Sequence, residues 1–334
     1  MNGRDRALAG ADQLATALTE HGVTVDPATV LDRSEDMTLA APGLVSPNGA
    51  CRLVMAADGW IAVNLPRTDD AELVPAWTGT DWGAPVWPSI ATAARTQTAA
   101  TLVASGAELG LAVARLSETQ PGQPVAARPL APVPLGPQAA DHRPRRVLDL
   151  STLWAGPLCA GLLAQAGHSV VKVESITRPD PVAQHTPVLD ARLNGAKARH
   201  AIRFDAANLA PLLAEADVIV TSARPRAFAA LGLNPRDLAA ARPGLVWVAI
   251  TGHGWHGAAG RRTGFGDDAA VAGGLVVWHG DTPHFAGDAL ADPLTGLAAG
   301  LAALRAIARG GGVMIDAALA HVAARVATGH VVVG

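Results

Sequence analysis

Val147-Leu-Asp-Leu-Ser-Thr-Leu-Trp-Ala-Gly-Pro-Leu-Cys-Ala-Gly-Leu-Leu-Ala-Gln-Ala-Gly-His-Ser-Val-Val-Lys-Val-Glu174 is the stretch that decides the fold. Residues 147–150 read as a strand. Residues 157–166 read as a helix with Pro157 in its first turn, where a missing N–H costs nothing. Residues 169–173, just past Gly167, form a second apolar run of strand length. Strand, helix and buried strand in that order make a βαβ unit, and such units build parallel sheets.

Working outward, the alternation continues. Residues 200–204 form a weaker strand and 208–214 a helix; 218–221 and 245–250 are further strands, separated by helical segments around Phe228 and Asp237. A long alanine-rich helix follows Asp292 and ends near Gly310-Gly-Gly312; a short strand (313–316) and a last helix (317–328) complete the chain. Upstream, residues 129–146 are rich in proline and have the composition of an extended linker. Before it, residues 52–65 read as a hairpin turned by Asp58-Gly59, flanked by helices at 8–21, 70–77 and 90–116. The organisation expected is a small α+β domain over 1–128, the linker over 129–146, and an α/β domain over 147–334.

Of the 334 residues, 49% are hydrophobic and 16% charged, with a net charge of -3, so the chain has ample material for folded cores. Nothing in it resembles the basic, aromatic-studded face of a nucleic-acid binder. Cys51 and Cys159 stand far apart without a CxxC companion, and no HExxH spacing occurs, so no disulfide framework and no metal site are expected. There is no signal-peptide h-region and no clean membrane span, which makes the cytoplasm the expected location. Lysine occurs only at Lys172 and Lys197 among 26 Lys and Arg residues, a bias toward arginine that follows the whole composition.

Two segments carry candidate chemistry. Gly252-His-Gly-Trp-His-Gly257 matches GxGxxG after a strand, but no helix opens at its last glycine and no acidic residue follows at the required distance. It reads as a glycine-rich loop lining a crevice rather than as a dinucleotide site. In Gly287-Asp-Ala-Leu-Ala-Asp-Pro-Leu-Thr-Gly296, Asp292 before Pro293 has the form of an N-cap, whose carboxylate accepts a backbone N–H. A carboxylate at a helix N-terminus is also well placed to react, since the dipole favours its ionised form. Asp288 is expected in a solvated loop. His253, His256, His279 and His284 flank these two segments, no GxSxG motif is present, and Trp60, Trp77, Trp82 and Trp87 read as core or interface residues.

The stretch 147–174 is similar to the opening of the class III coenzyme A transferases, roughly VLDLSxxxAGPxxxxxLAxxGAxVIKVE. The family includes formyl-CoA transferase and carnitine-type CoA transferases, with α-methylacyl-CoA racemase as a relative. The resemblance continues in order through Leu193-Asn-Gly-Ala-Lys197, Ala216-Asp-Val-Ile-Val-Thr-Ser-Ala-Arg-Pro225, Leu231-Gly-Leu233, Pro243-Gly-Leu-Val-Trp-Val-Ala-Ile250 with the glycine loop, Asp292-Pro-Leu-Thr-Gly296 and Gly311-Gly-Val-Met-Ile-Asp-Ala-Ala-Leu319. It implies a Rossmann-like parallel sheet with helices on both faces plus a smaller α+β domain. The small domain, normally second, stands first here, as in a circular permutation.

The resemblance also implies an activity. In the transferases an aspartate attacks an acyl-CoA thioester and CoA passes to a carboxylic acid, with no permanently bound cofactor and with interlocked homodimers. That aspartate falls on Asp292. The implied CoA contacts are Trp154 (where the family has glutamine), Ala155, Gly156, Pro157, Lys172, Arg178 near the family's basic position, Ser222, Arg224, Gly252 and Gly254. The family's Glu-Asn is Thr221-Ser222 here, the arginine before Leu231-Gly-Leu is Ala230, and the GGGGQ-type loop has no clear counterpart. The racemases pair the matching aspartate with a histidine that would fall near Gly264, where this chain has none. Racemisation and a non-catalytic role are the alternatives to transfer.

Overall fold

The strands alternate side chains between two buried faces, and that pattern assembles the sheet which positions the site. In a computed structural model, residues 1–123, 125–130 and 143–331 are described. In chain order the strands are β1 (Cys51–Ala56), β2 (Gly59–Asn64), β3 (Ala112–Arg115), β4 (Ala126–Pro129), β5 (Arg146–Leu150), β6 (Ser169–Ser175), β7 (Ala198–Ile202), β8 (Val218–Thr221), β9 (Val246–Thr251), β10 (Val276–His279), β11 (Thr282–Phe285) and β12 (Val313–Ala318). The large sheet has the order β4-β12-β9-β8-β5-β6-β7. All its pairings are parallel except β4 on β12.

From β5 the chain winds one way through β6 to β7, then returns to the other side of β5 for β8, β9 and β12. The strand order therefore reverses between β5 and β8, and the crevice at the carboxyl ends of those strands is where such sheets hold ligands. Val147, Val218, Val220, Val246, Val248 and Ile250 face one apolar core. Leu148, Leu150, Ile219, Trp247 and Ala249 face the other. Strands covered on both sides read as continuous apolar runs, which is why the sequence displays them so plainly.

Two helices on the first face come unusually close. In helix Ala291–Ala308, a Cβ on Gly296 would stand 2.8 Å from the Ala155 carbonyl, and one on Gly300 would stand 2.7 Å from Leu162 Cδ1. The absence of these side chains lets helix Ala155–Gln165 seat directly on it. The two helices' first turns are thereby brought together, and Trp154 and Asp292 with them.

The small antiparallel sheet β1-β2-β3 packs on its own helices and, through Cys51, Leu53 and Ala62, on Val271, Val276 and Phe285 of the C-terminal half. The first residues do not join it. Ala7, Ala11, Leu14, Leu18, Val23 and Val30 pack into the core of the large sheet. The helix expected over 90–116 is in fact two, Val86–Ala94 and Ala99–Leu109, followed by β3. Thr98 caps the second helix and Gly110, at φ 80°, ends it. Helix Gly266–Ala272 and the hairpin β10–β11 have no counterpart in the sequence reading; both are short, and their burial comes from tertiary packing. Of the expected linker, residues 131–142 lie outside the described residues.

Lys197 and Asp149 are sealed inside this fold as an ion pair at 2.7 Å, both fully buried. Removing one partner of such a pair leaves an uncompensated charge, at a cost of about 3–5 kcal/mol. Lys197→Met is expected to lower the urea-unfolding free energy by about that much, and Lys197→Met combined with Asp149→Leu should recover part of the loss.

Candidate active site

Both lysines of the chain converge on the loop that leaves β5. Lys197 Nζ donates to Asp149 Oδ2 (2.7 Å), to the Pro157 carbonyl (2.7 Å) and to Asn194 Oδ1 (2.8 Å). Lys172 Nζ donates to the Ser151 carbonyl (3.0 Å) and to Asp180 Oδ2 (2.9 Å). Asp149 in turn accepts from the Ser151 backbone N–H (3.0 Å) and hydroxyl, and Asp180 Oδ1 accepts from the Leu153 N–H (3.2 Å). The loop is thus gripped from beneath and from one side. Across the switch point, Thr152 N–H donates to Ser222 Oγ at 2.9 Å.

Lys172 was expected to contact CoA. Its side chain is fully buried and its ammonium is spent on Asp180 and Ser151, so it holds the loop and does not face a ligand. Trp154, Ala155, Gly156 and Pro157 are buried at the start of helix Ala155–Gln165. Gly156 is pressed against the Ser151 side chain. Trp154 Nε1 is buried without a partner among the described residues. Arg224, half-buried, donates to Thr263 Oγ1 (3.0 Å) and has no carboxylate partner among the described residues. Burial, with Arg226 and Arg67 nearby, lowers its basicity. Arg178 is exposed beyond β6. Gly252 and Gly254 leave the carboxyl end of β9, and Gly254 N–H donates to Thr251 Oγ1 (3.0 Å). No helix opens at Gly257, in keeping with a crevice loop.

Asp292 differs from its expected role. The helix starts at Ala291 with Leu290 at the cap position, and no side chain makes a capping bond there. Asp292 lies inside the first turn; its backbone N–H donates to the Ala289 carbonyl at 2.9 Å, and its carboxylate caps nothing. The residue keeps part of its surface in contact with solvent. The turn that delivers it is strained: Ala289 has φ 46°, and Leu153, before the neighbouring helix, has φ 69°. Non-glycine residues rarely adopt such angles, at about 1–3 kcal/mol each, and they gather at functional sites. Asp267 Oδ1 fixes the first of these turns by accepting from the Ala289 N–H at 2.8 Å.

Around Asp292 stand three more carboxylates. Asp288, expected in solvent, is 6% exposed. Arg33 grips it through Nε–Oδ2 at 2.5 Å and Nη2–Oδ1 at 3.1 Å. Asn48 Nδ2 bridges Asp267 Oδ2 (2.7 Å) and Asp288 Oδ1 (2.6 Å), and Asn64 Nδ2 donates to Asp268 Oδ1 (2.8 Å). Burial raises the Asp292 carboxyl to about 7, with Arg33 opposing and Asp267, Asp268 and Asp288 adding to it. Burial likewise raises Asp268 to about 7 and, with Asp288, raises Asp267 to about 6. Carboxyls raised together by burial make this cluster the candidate functional site. Among the described residues, no group of three or more His, Cys, Asp or Glu is arranged to hold a metal ion, and no helix is long and apolar enough to cross a membrane.

Arg33, Asn48, Asn64, Asp267 and Asp268 were not singled out from sequence as site residues. Asp267-Asp268 beside Phe265 carried a local signal, a helix start, and Asp268 does accept the Phe265 N–H at 2.9 Å. The three residues from the N-terminal half carried none.

Residues 144–333 match the profile described as CoA-transferase family III. The alpha subunit of succinyl-CoA–L-malate CoA-transferase from Chloroflexus aurantiacus is 30% identical over 183 residues, which cover 50% of this chain and 42% of that protein. Human succinyl-CoA:glutarate CoA-transferase is 28% identical over 182 residues, 49% of this chain and 40% of that protein. A solved structure of Rv3272 from Mycobacterium tuberculosis superposes with TM-score 0.49 and 28% identity over 55% of this chain and 56% of that one. The chain therefore spans less than half the length of these curated relatives.

Gly266 opens helix Gly266–Ala272 and faces Asp292 Oδ2 and the Ala289 carbonyl, leaving no room for a Cβ. Gly266→Ala is expected to cost about 1–3 kcal/mol in urea unfolding, as overpacking does, and to displace the Asp292 carboxylate in a crystal structure of the variant.

Proposed function

The chain belongs to CoA-transferase family III, and from that premise we propose that it moves CoA from an acyl-CoA thioester to a carboxylic acid through covalent intermediates on Asp292. The observation that carries the reading is a partly exposed carboxylate, uncommitted to capping, at the N-terminal turn of helix Ala291–Ala308, with its helix packed against the one that Trp154 opens.

A carboxylate Oδ attacks the thioester carbonyl, the C–S bond breaks, and CoA leaves as a thiolate, giving a mixed anhydride. The thiolate then attacks the Asp292 acyl carbon of that anhydride, releasing the first acid and leaving a CoA thioester on Asp292. The acceptor carboxylate attacks this thioester, forming a second anhydride and freeing the thiolate once more. Attack of the thiolate on the acceptor's acyl carbon yields the new acyl-CoA and restores the carboxylate. Each step exchanges one activated acyl bond for another, thioester for anhydride and back, so that no acyl group is lost to water and a difficult transfer is divided into easier ones. No proton need be moved, so no partner base is required. A carboxylate whose basicity is raised toward 7 is also a better nucleophile than an ordinary one, provided the pH keeps it ionised.

On this reading CoA enters at the switch point between β5 and β8. Its neighbours there are the 151–157 loop, Ser222, the half-buried Arg224 and the Gly252–Gly254 loop. Arg224, held in place by a hydroxyl rather than by a carboxylate, retains its charge for a phosphate. Near Gly264, where the racemases' histidine would fall, His253 Nε2 and Asp268 Oδ2 lie 3.1 and 3.3 Å from where a Cβ would stand, so the imidazole there is that of His253. Burial, with Arg262 nearby, pushes that imidazole down to about 3, too weak a base for proton exchange at an α-carbon.

Incubation with acyl-CoA should add the mass of an acyl or CoA group to the Asp292 peptide, and Asp292→Ala should abolish both the adduct and transfer. An unmodified Asp292 during sustained turnover would sink this mechanism. Because the carboxyl titrates at about 7 and only its ionised form attacks, kcat/KM should rise with pH through about 7 and level off above it. A rate that is flat between pH 5.5 and 8.5 would exclude Asp292 as the titrating nucleophile.

A further inference from the structure

We infer that Arg33, supplied by a segment outside the family-matched residues, is a positioning residue that keeps the Asp292 carboxylate ionised and the carboxylate cluster ordered against the Trp154 loop. This rests on the transfer reading for its purpose, but not for its geometry.

Arg33 follows the short helix Pro27–Val30, whose Val30 anchors in the core of the large sheet. Arg192 reaches across to hold the same stretch by donating to the Thr29 carbonyl (2.7 Å) and the Asp32 carbonyl. Asp36, a few residues on, accepts from the backbone N–H groups of Val188 and Leu189, each at 2.7 Å. The segment is thus fixed to the C-terminal half on both sides of Arg33. From there the guanidinium makes two contacts at once. It binds Asp288 through two parallel hydrogen bonds, and it stacks over the Trp154 ring at 5.3 Å.

Asp267, Asp268, Asp288 and Asp292 are four carboxylates sharing one buried locus, and Asn48 and Asn64 bring donors without charge. Among the described residues, Arg33 is the only cation in an ion pair with any of the four. Through Asp288, its nearest carboxylate, it sits within the cluster that holds Asp292, and its charge favours the ionised form of Asp292 against burial and the other three carboxylates. Cation and tryptophan together add a stacking contribution of about 1 kcal/mol or more where the pair is desolvated. A bidentate guanidinium on a flat ring is geometry that an ammonium does not reproduce fully. The half of the chain that carries the family motifs therefore depends, for the charge state of its nucleophile, on a residue the motifs do not contain.

The test compares pH profiles of acyl transfer for the whole chain and for Arg33→Gln, Arg33→Lys and Asp288→Asn. Loss of the cation disfavours ionised Asp292, so Arg33→Gln should move the acid limb to higher pH. Each unit of displacement costs about tenfold in rate well below the limb and nothing above it. Arg33→Lys should restore most of the position. Asp288→Asn removes a like charge and frees Arg33, so its limb should move to lower pH. Selective 13C titration of the Asp292 carboxyl reads the same displacements without turnover. A wild-type protein that forms no adduct would sink the transfer reading while the titration still judged Arg33. The inference is overturned if Arg33→Gln leaves the titration where it was, or if its activity falls equally at every pH. Should Arg33→Gln fail to fold by circular dichroism, the double variant Arg33→Gln with Asp288→Asn, which removes the ion pair together, decides the matter: its limb should lie at higher pH than that of Asp288→Asn alone, and a limb in the same place refutes the inference.

Discussion

The site depends on a loop that has been made rigid from below by two buried ammonium groups. A lysine taken out of water is tolerated only with a carboxylate and further acceptors around it. Lys197 has Asp149, the Pro157 carbonyl and Asn194; Lys172 has Asp180 and the Ser151 carbonyl. Each acceptor belongs to, or braces, the segment between β5 and the helix that follows. What the two ion pairs provide is geometry. Leu153 holds a left-handed backbone with its own N–H bound to Asp180 Oδ1 and that of Thr152 bound to Ser222 Oγ.

Beside that loop, the acidic cluster around Asp292 is electrostatically costly to keep in place. Four carboxylates at one locus repel one another, and burial removes the water that would screen them. The protein answers with two amide donors, one guanidinium and the upward shift of three carboxyls toward neutrality. The outcome is an Asp292 carboxyl pushed up to about 7 that still keeps part of its surface in contact with solvent. Had Asp292 capped its own helix, as the Asp-Pro pair promised, its carboxylate would have been satisfied and far less basic. Setting the helix start two residues earlier, behind Ala289 at φ 46°, leaves its carboxylate uncommitted to capping.

The small sheet and the N-terminal segment belong to the same account. Both lie outside the residues that match the family, yet Asn48, Asn64 and Arg33 come from them, and the apolar contacts of Leu53 and Ala62 with Val271 and Phe285 hold the small sheet against the half that carries the acidic cluster. The small module functions here as the roof of the site.

The sequence by itself determined the large sheet. Runs such as 147–150, 218–221 and 245–250 are apolar on both faces, a local property that needs no knowledge of partners, and their alternation with helices dictates a parallel arrangement. Motif order also located the crevice loops and Asp292. It did not reveal that Lys172 is spent inside the protein, that helix 90–116 breaks at Thr98, or that Asp288 is buried. Each of those depends on what lies opposite. Only the tertiary structure decided the environment of Asp292, because its basicity is raised first by burial and then adjusted by neighbours that include Arg33, which lies 255 residues before Asp288. Local pattern is written in hydrophobic periodicity, whereas a charge feels whatever the fold has brought within a few ångströms of it.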